Sequence, residues 1–231
     1  MTHVHRMLQD MADAFSRKIS EDLALRVQLE IQHGPGPWHV IVEPRCRVTV
    51  APGSDPQSHV ILAMTERTLR DLYTGEMTAL TAAAKASVSD PAPLEYRLGP
   101  GQSLGSQLYA DILSFLQHFF TCAEPERIVL DESHARKVHG ANAVALFYQP
   151  GFRSAWYQVQ KGEQLNEPGD TNPFPQAFVF ISGEGWARIG EKTLAVRAGE
   201  AYFVPPGSDH IVWTDEEEPV TLLWLAWGEG A

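Results

Sequence analysis

"GEAYFVPPGSDHIVW", Gly199 to Trp213, sets an apolar run, a Pro-Pro-Gly break and a second apolar run end to end. Proline and glycine punctuate the chain, so the runs on either side read as two short strands joined by a turn. A single histidine, His210, opens the second strand. Histidine both ligates metals and moves protons near neutral pH, so the residues that join it decide between an enzyme and a binding protein.

The same texture extends in both directions from this stretch. "AVALFYQ", "SAWYQVQ", "AFVFIS", "GWARIG", "TLAVRA", "AYFVP", "HIVWT" and "VTLLWLAW" follow one another through residues 143–227. Short strands separated by Gly, Pro, Asp and Asn at intervals of about ten residues predict an all-β sandwich or barrel. Alternation puts Gln176, Phe178 and Phe180 on one strand face and His210, Val212 and Thr214 on another.

Gly199, Pro205, Gly207 and His210, spaced G-x5-P-x-G-x2-H, resemble the second signature of the cupins. "GEQLNEPGDTNPFPQAFVFISGEGWARIG" (162–190) resembles their first. The resemblance implies a double-stranded β-barrel over 137–231, with both strand faces pointing into it. It also implies a metal held by two histidines and a glutamate of the first signature and one histidine of the second. The corresponding positions here are Pro168, Asp170, Gln176 and His210, and of the four only His210 has the expected identity. Proline supplies no side-chain donor, so no cofactor is expected. The fallback is a weakly bound divalent ion on Asp170, Gln176 and His210.

The alternatives for His210 are a neutral hydrogen-bonding group in the interior and, in an enzyme, a metal-free acid or base. If the barrel is a binding site, Gln176, Phe178, Phe180, His210 and Val212 line a largely apolar pocket with a few polar fixing points. His134 and His139 fall in the charged stretch "SHARKVHG" (133–140) and read as solvated loop. Trp156, Trp186, Trp213, Trp224 and Trp227 read as packing residues.

The first half differs in pattern. Val4, Met7, Leu8, Met11, Phe15 and Ile19 recur at helical steps over 4–19, and Leu25, Val27, Leu29 and Ile31 then alternate as a strand. "HGPGPW" (33–38) is a turn, and "WHVIVE", "CRVTV" and "SHVILAM" continue the sheet. Thr65 is a helix N-cap and Gly75 a stop. A second helix is predicted over 77–87 and a long apolar one over 103–121, with "RIVL" (127–130) as a candidate strand.

The order carried by "LRVQLEI", "WHVIVE" and "SHVILAMTERTLRDLYTGEMTALTAAAKASV" is similar to sterol carrier proteins of type 2. That resemblance implies an α+β domain, an antiparallel sheet with covering helices, enclosing a tunnel for lipids. Leu62, Met64, Leu69, Leu72, Met77, Leu80, Phe115 and Phe119 are the candidates to line it, or to fill an ordinary core. The expected organisation is 1–125 as this domain, 126–136 as a linker and 137–231 as the barrel.

Net charge is −11, with 10 bases against 13 acids in 1–122, which leaves 8 against 16 in 123–231. No concentrated basic face exists, so nucleic acid is not an expected partner. No apolar run reaches the roughly 18 residues of a membrane span, and the N-terminal stretch lacks an apolar signal region, which makes the cytoplasm the expected compartment. Cys46 and Cys122 lack metal or redox spacing and read as free thiols. GxSxG and P-loop motifs are absent.

The preferred function is binding or carriage of a hydrophobic or aromatic small molecule or lipid by a non-enzymatic two-module protein. The alternatives are a cupin dioxygenase, isomerase or lyase that uses His210 on a lipophilic substrate, and a regulatory or assembly partner. A homodimer through the cupin domain is the oligomer implied.

Overall fold

The helical spacing at the start of the chain produces α1 (His3–Phe15), with Val4, Met7, Leu8, Met11 and Phe15 all buried along one side. It stops short of Ile19, where Ser16 donates its hydroxyl to the Asp13 carbonyl and turns follow. The computed structural model describes residues 3–34 and 36–231. Met1, Thr2 and Pro35, the last inside the turn expected over 33–38, lie outside the described residues.

The described chain packs as two units. One comprises Met1–Ala83 and Pro91–Ile128, the other Ala84–Asp90 and Val129–Ala231. The chain therefore passes between units three times, and a short excursion of the first half is built into the second.

In the first unit, strands β1 (Leu25–Gln32), β2 (Trp38–Glu43), β3 (Arg47–Pro52), β4 (Val60–Thr65) and β5 (Leu94–Leu98) form one sheet in the order β3-β2-β1-β4-β5. Leu25, Val27, Leu29 and Ile31 are buried, as their alternation requires. The sheet is mixed rather than wholly antiparallel, because β1 and β4 run parallel, Val27 opposite Val60. The 53–59 connection that returns the chain to β1 is tied down there: Arg26 Nη1 donates to Asp55 Oδ2 at 2.9 Å, and His59 N–H to the Arg26 carbonyl at 2.8 Å.

Helix α2 (Glu66–Thr74) is capped as expected, with Thr65 accepting from the Thr68 N–H at 3.0 Å and Gly75 ending it at φ 80°. Helix α3 (Ala79–Ala83) is shorter than the expected 77–87, because the chain leaves for the other unit at Ala84. Helix α4 (Ser106–His118) starts after the expected Ser103: Gly105 is extended, and Leu104 is exposed. Residues 127–130 form no strand, and Ile128 and Leu130 are exposed. Phe15, Phe115 and Phe119 meet at the core, the last two stacked with centroids 4.3 Å apart. Each such side chain contributes roughly 1.5–3 kcal/mol by leaving water.

The second unit is all β. Strands β6 (Arg136–Val138), β7 (Ala141–Gln149), β8 (Phe152–Val159), β10 (Gln176–Ser182), β13 (Ala201–Val204) and β15 (Val220–Trp227) make a six-stranded sheet, ordered β13-β10-β15-β8-β7-β6. Strands β9 (Gln164–Leu165), β11 (Glu184–Ile189), β12 (Lys192–Arg197) and β14 (His210–Trp213) make a four-stranded sheet, ordered β12-β11-β14-β9. The expected double-stranded barrel is present as two sheets, not as one hydrogen-bonded cylinder. Their inner faces share a core that includes Tyr157, Leu165, Phe178, Phe180, Val212 and Leu222. No helix among the described residues is long and apolar enough to cross a membrane.

Candidate functional site

The inner faces of β10 and β14 converge at one end of this core on polar side chains. Gln176, at the start of β10, is fully buried, and His210, at the start of β14, is 3% exposed. Phe178 follows Gln176 on the inner face, its ring centroid 6.0 Å from that of His210. Phe180 and Val212 lie deeper, within the packed cluster. Of the residues expected to line a pocket, Phe178 meets the His210 ring, and Phe178, Phe180 and Val212 belong to the packed core.

Hydrogen bonds fix both polar heads. Trp224 Nε1 donates to Gln176 Oε1 at 2.7 Å, and Asn172 Nδ2 donates to the same oxygen at 3.0 Å. Indole nitrogen is a donor only, so the atom facing it is the amide oxygen and Gln176 Nε2 points elsewhere. Nε2 is buried with no partner among the described residues. Leaving such a donor unpaired costs about 1–3 kcal/mol. His210 Nδ1 lies 3.1 Å from the Ser208 carbonyl, which assigns the proton to Nδ1 and leaves a lone pair on Nε2. That lone pair faces Asn172 Nδ2 at a long 3.4 Å. Burial holds the His210 pKa below its usual value, against the opposing pull of the Ser208 carbonyl, Asp170 and Asp209. The imidazole is consequently neutral at pH 7.

A second histidine sits in this neighbourhood, contrary to its reading as solvated loop. His139 is half-buried, and burial lowers its pKa, with Asp170 and Asp90 opposing and His210 adding to the shift. It occupies a two-residue hairpin turn with Gly140, between the paired Val138 and Ala141, at φ 54° and 82°. Asn166 ties this turn to β14: its N–H donates to the His139 carbonyl and its Nδ2 to the His210 carbonyl, both at 2.8 Å. The dipeptide His139-Gly140 between two strand-like runs is a turn signal of the Asn-Gly kind, and would have located the hairpin. Nothing in the sequence pairs it with a residue 71 positions downstream. Asn172 and Trp224, which orient Gln176, were likewise not singled out for that role.

Residues 155–226 match the family model of the cupin domain. The second unit has a cupin-type β fold. Similar solved structures include a Cupin 2 conserved barrel domain protein from Salinispora arenicola CNS-205, 22% identical over 45% of this chain and 88% of that one, with a TM-score of 0.40. The plu4264 protein from Photorhabdus luminescens is 18% identical over 45% and 89%, TM-score 0.40. An RmlC-like cupin from Shewanella frigidimarina NCIMB 400 is 17% identical over 40% and 80%, TM-score 0.36. No curated protein matches the chain.

The cupin metal positions do not fit a metal here. Pro168 carries no donor and lines an outer cleft of about 370 Å³ with Arg188, Ile211 and Trp213. Asp170 is exposed and uses Oδ2 to accept from the Glu167 N–H at 2.9 Å. Gln176 Oε1, the one donor atom it could offer an ion, already accepts two hydrogen bonds. Among the described residues, no group of three His, Cys, Asp or Glu stands at metal-binding separation.

In the first unit, the expected cavity residues fall on β4 (Leu62, Met64), α2 (Leu69, Leu72), α3 (Leu80) and α4 with its C-cap (Phe115, Phe119), all buried. Met77, between α2 and α3, is half-buried.

Proposed function

We propose that the cupin unit binds a small, mainly apolar organic molecule at its polar-capped end and acts as a carrier or sensor rather than a catalyst. The observation that supports this reading most is the fully buried Gln176 with an unpartnered Nε2 above an apolar floor. An unpaired buried donor beside apolar side chains suits an organic ligand held by one or two polar contacts and by shape. The first unit, with its helix-covered sheet, is proposed to serve the same cargo as a lipid-binding module. Self-association through β13, an edge strand of its sheet among the described residues, belongs to the same proposal.

Solvent extraction of the purified protein followed by mass spectrometry tests the reading. A reproducible organic compound at near-stoichiometric amount is expected, and it should be lost in a variant with the Gln176 end altered. Elemental analysis runs in parallel. Stoichiometric iron, nickel, manganese or zinc that disappears in His210→Ala would replace this proposal with a metalloenzyme.

A second reading, metal-free acid or base catalysis by His210, is favoured by one observation, the neutral imidazole whose Nε2 lone pair is met, among the described residues, by the long Asn172 contact. Turnover of the extracted compound by wild type and not by His210→Gln would support it.

A further inference from the structure

We infer that the outer face of the four-stranded sheet, built around Trp186 and Trp213, docks a basic segment of a partner protein and takes its arginine side chains against the indole rings. This surface is turned away from the core of the unit, so the inference stands independently of the ligand reading above.

Strand alternation sets the face. Ala187, Val196 and Val212 belong to the core, so their neighbours Trp186, Ala195 and Trp213 point outward. The register sets them in one row across the sheet: Ala195 opposite Trp186, Trp186 opposite Trp213, and Trp213 opposite Gln164. Trp186 is 42% exposed and Trp213 is half-buried. Two clefts adjoin the row. One, of about 370 Å³, is lined by Trp213, Ile211 and Arg188, the other, of about 410 Å³, by Trp186, Glu184 and Arg197, and Asp215 lines both. Exposed apolar surface with a polar rim marks an interaction site, and tryptophan is among the residue types that concentrate binding energy there.

Charge specifies the partner. The cations of this face and its rim are each held by a carboxylate: Arg188 by Asp209, Arg197 by Glu200, Lys161 by Glu217 and Lys137 by Glu163. Arg188 Nε is closed off from solvent, so the cleft does not present it as a donor. Lys192 shares the opposite side of β12 with Leu194 and Val196, which pack on the core. Glu184, the cross-strand neighbour of Arg197, is left exposed with Asp215, Glu216 and Glu218, none of them in a side-chain ion pair among the described residues. The face therefore carries an excess of negative charge beside two indoles. A guanidinium answers both, stacking on the indole while its charge meets the carboxylates. A second copy of this chain does not, because its net charge is −11 and two such faces would set one acidic 215–218 turn against another. A neutral saccharide could stack on the rings but would leave the carboxylates unanswered.

The test is fluorescence anisotropy of labelled peptides titrated with the full-length protein, one of alternating arginine and glycine, the other of alternating glutamine and glycine. The arginine peptide is expected to bind about tenfold or more tightly, and its affinity to fall as salt is raised. Trp186→Ala should weaken it about tenfold, as loss of an interface tryptophan does. Glu184→Gln combined with Glu216→Gln should weaken it too and flatten its salt dependence. In wild type, the Trp186 indole N–H resonance should shift with the arginine peptide and stay in place with cellohexaose, which reads the contact without relying on a variant. If the glutamine peptide matches the arginine one, if either variant binds the arginine peptide as wild type does, or if the peptide leaves the Trp186 signal unmoved, the inference falls. If cellohexaose shifts that signal, the face is a saccharide site and the inference falls as well.

Discussion

Trp224 on β15 and Gln176 on β10 are joined by a 2.7 Å hydrogen bond between side chains of neighbouring strands, and this bond sets which end of the amide is free. Trp224→Phe keeps an aromatic ring and removes the donor. It is expected to lower stability by about 1–2 kcal/mol, the worth of one buried bond. Urea denaturation reads this directly, and an unchanged midpoint and slope would mean that the indole contributes packing alone.

Asn166 ties the His139 turn to the start of β14 through both its backbone and its side chain, at φ 62°. Asn166→Gly keeps access to that conformation and loses the bond to the His210 carbonyl. Asn166→Ala loses the bond and adds about 1 kcal/mol of left-handed strain. The expected order of stability is wild type, then Gly, then Ala. Thermal melts that rank Ala above Gly would contradict it.

Two close backbone approaches exclude any Cβ. A methyl on Gly140 would sit 2.2 Å from the Gln164 carbonyl oxygen, and one on Gly99 would sit 1.7 Å from that of Ser58. Backbone cannot yield as a flexible side chain does, so Gly140→Ala and Gly99→Ala should each cost about 2–4 kcal/mol. Gly140→Ala should also disturb His139. Its imidazole signals in NMR spectra are the readout, and an unperturbed spectrum would show that the hairpin can retreat from β9.

Acid should weaken the cupin unit before its carboxylates titrate. His139 and His210 both have pKa values lowered by burial, so in the folded state they stay neutral where the unfolded chain already takes up protons. The unfolded state then binds more protons, and stability is complete above the unfolded histidine pKa of about 6.5 and falls as pH drops through it. Denaturation midpoints should decline between about pH 7.5 and about pH 5.5, with a shallower decline in His139→Gln and His210→Gln. Equal slopes in wild type and both variants would assign the acid sensitivity to other groups.

Periodicity made much of this fold legible. Alternation at Leu25, Val27, Leu29 and Ile31 marks the buried face of β1, and Thr65 and Gly75 bracket α2, because burial and capping are local consequences of local sequence. The glycine and proline spacing ahead of His210 marked the start of a strand, and the cupin resemblance implied that the faces carrying Gln176 and His210 point inward. What could not be read is what distant segments do to one another. The parallel pairing of β1 with β4 depends on a crossover held by Arg26 and Asp55. The opening of the expected barrel into two sheets depends on which strand edges bond. The convergence of His139, Asn166, Asn172 and Trp224 around Gln176 and His210 is set by turns and strand register, which composition does not encode.

The excursion of Ala84–Asp90 into the cupin unit has a practical bearing. Ala84 packs against the core of that unit, and its carbonyl accepts a 2.8 Å hydrogen bond from Arg136. A fragment cut to begin at Val129 would discard this segment and strip a piece of its own hydrophobic lining. The two halves of the gene product are therefore better separated for study by point substitution than by scissors, and a dissection that fails to yield a folded C-terminal piece would reflect the missing heptapeptide rather than an unstable barrel architecture.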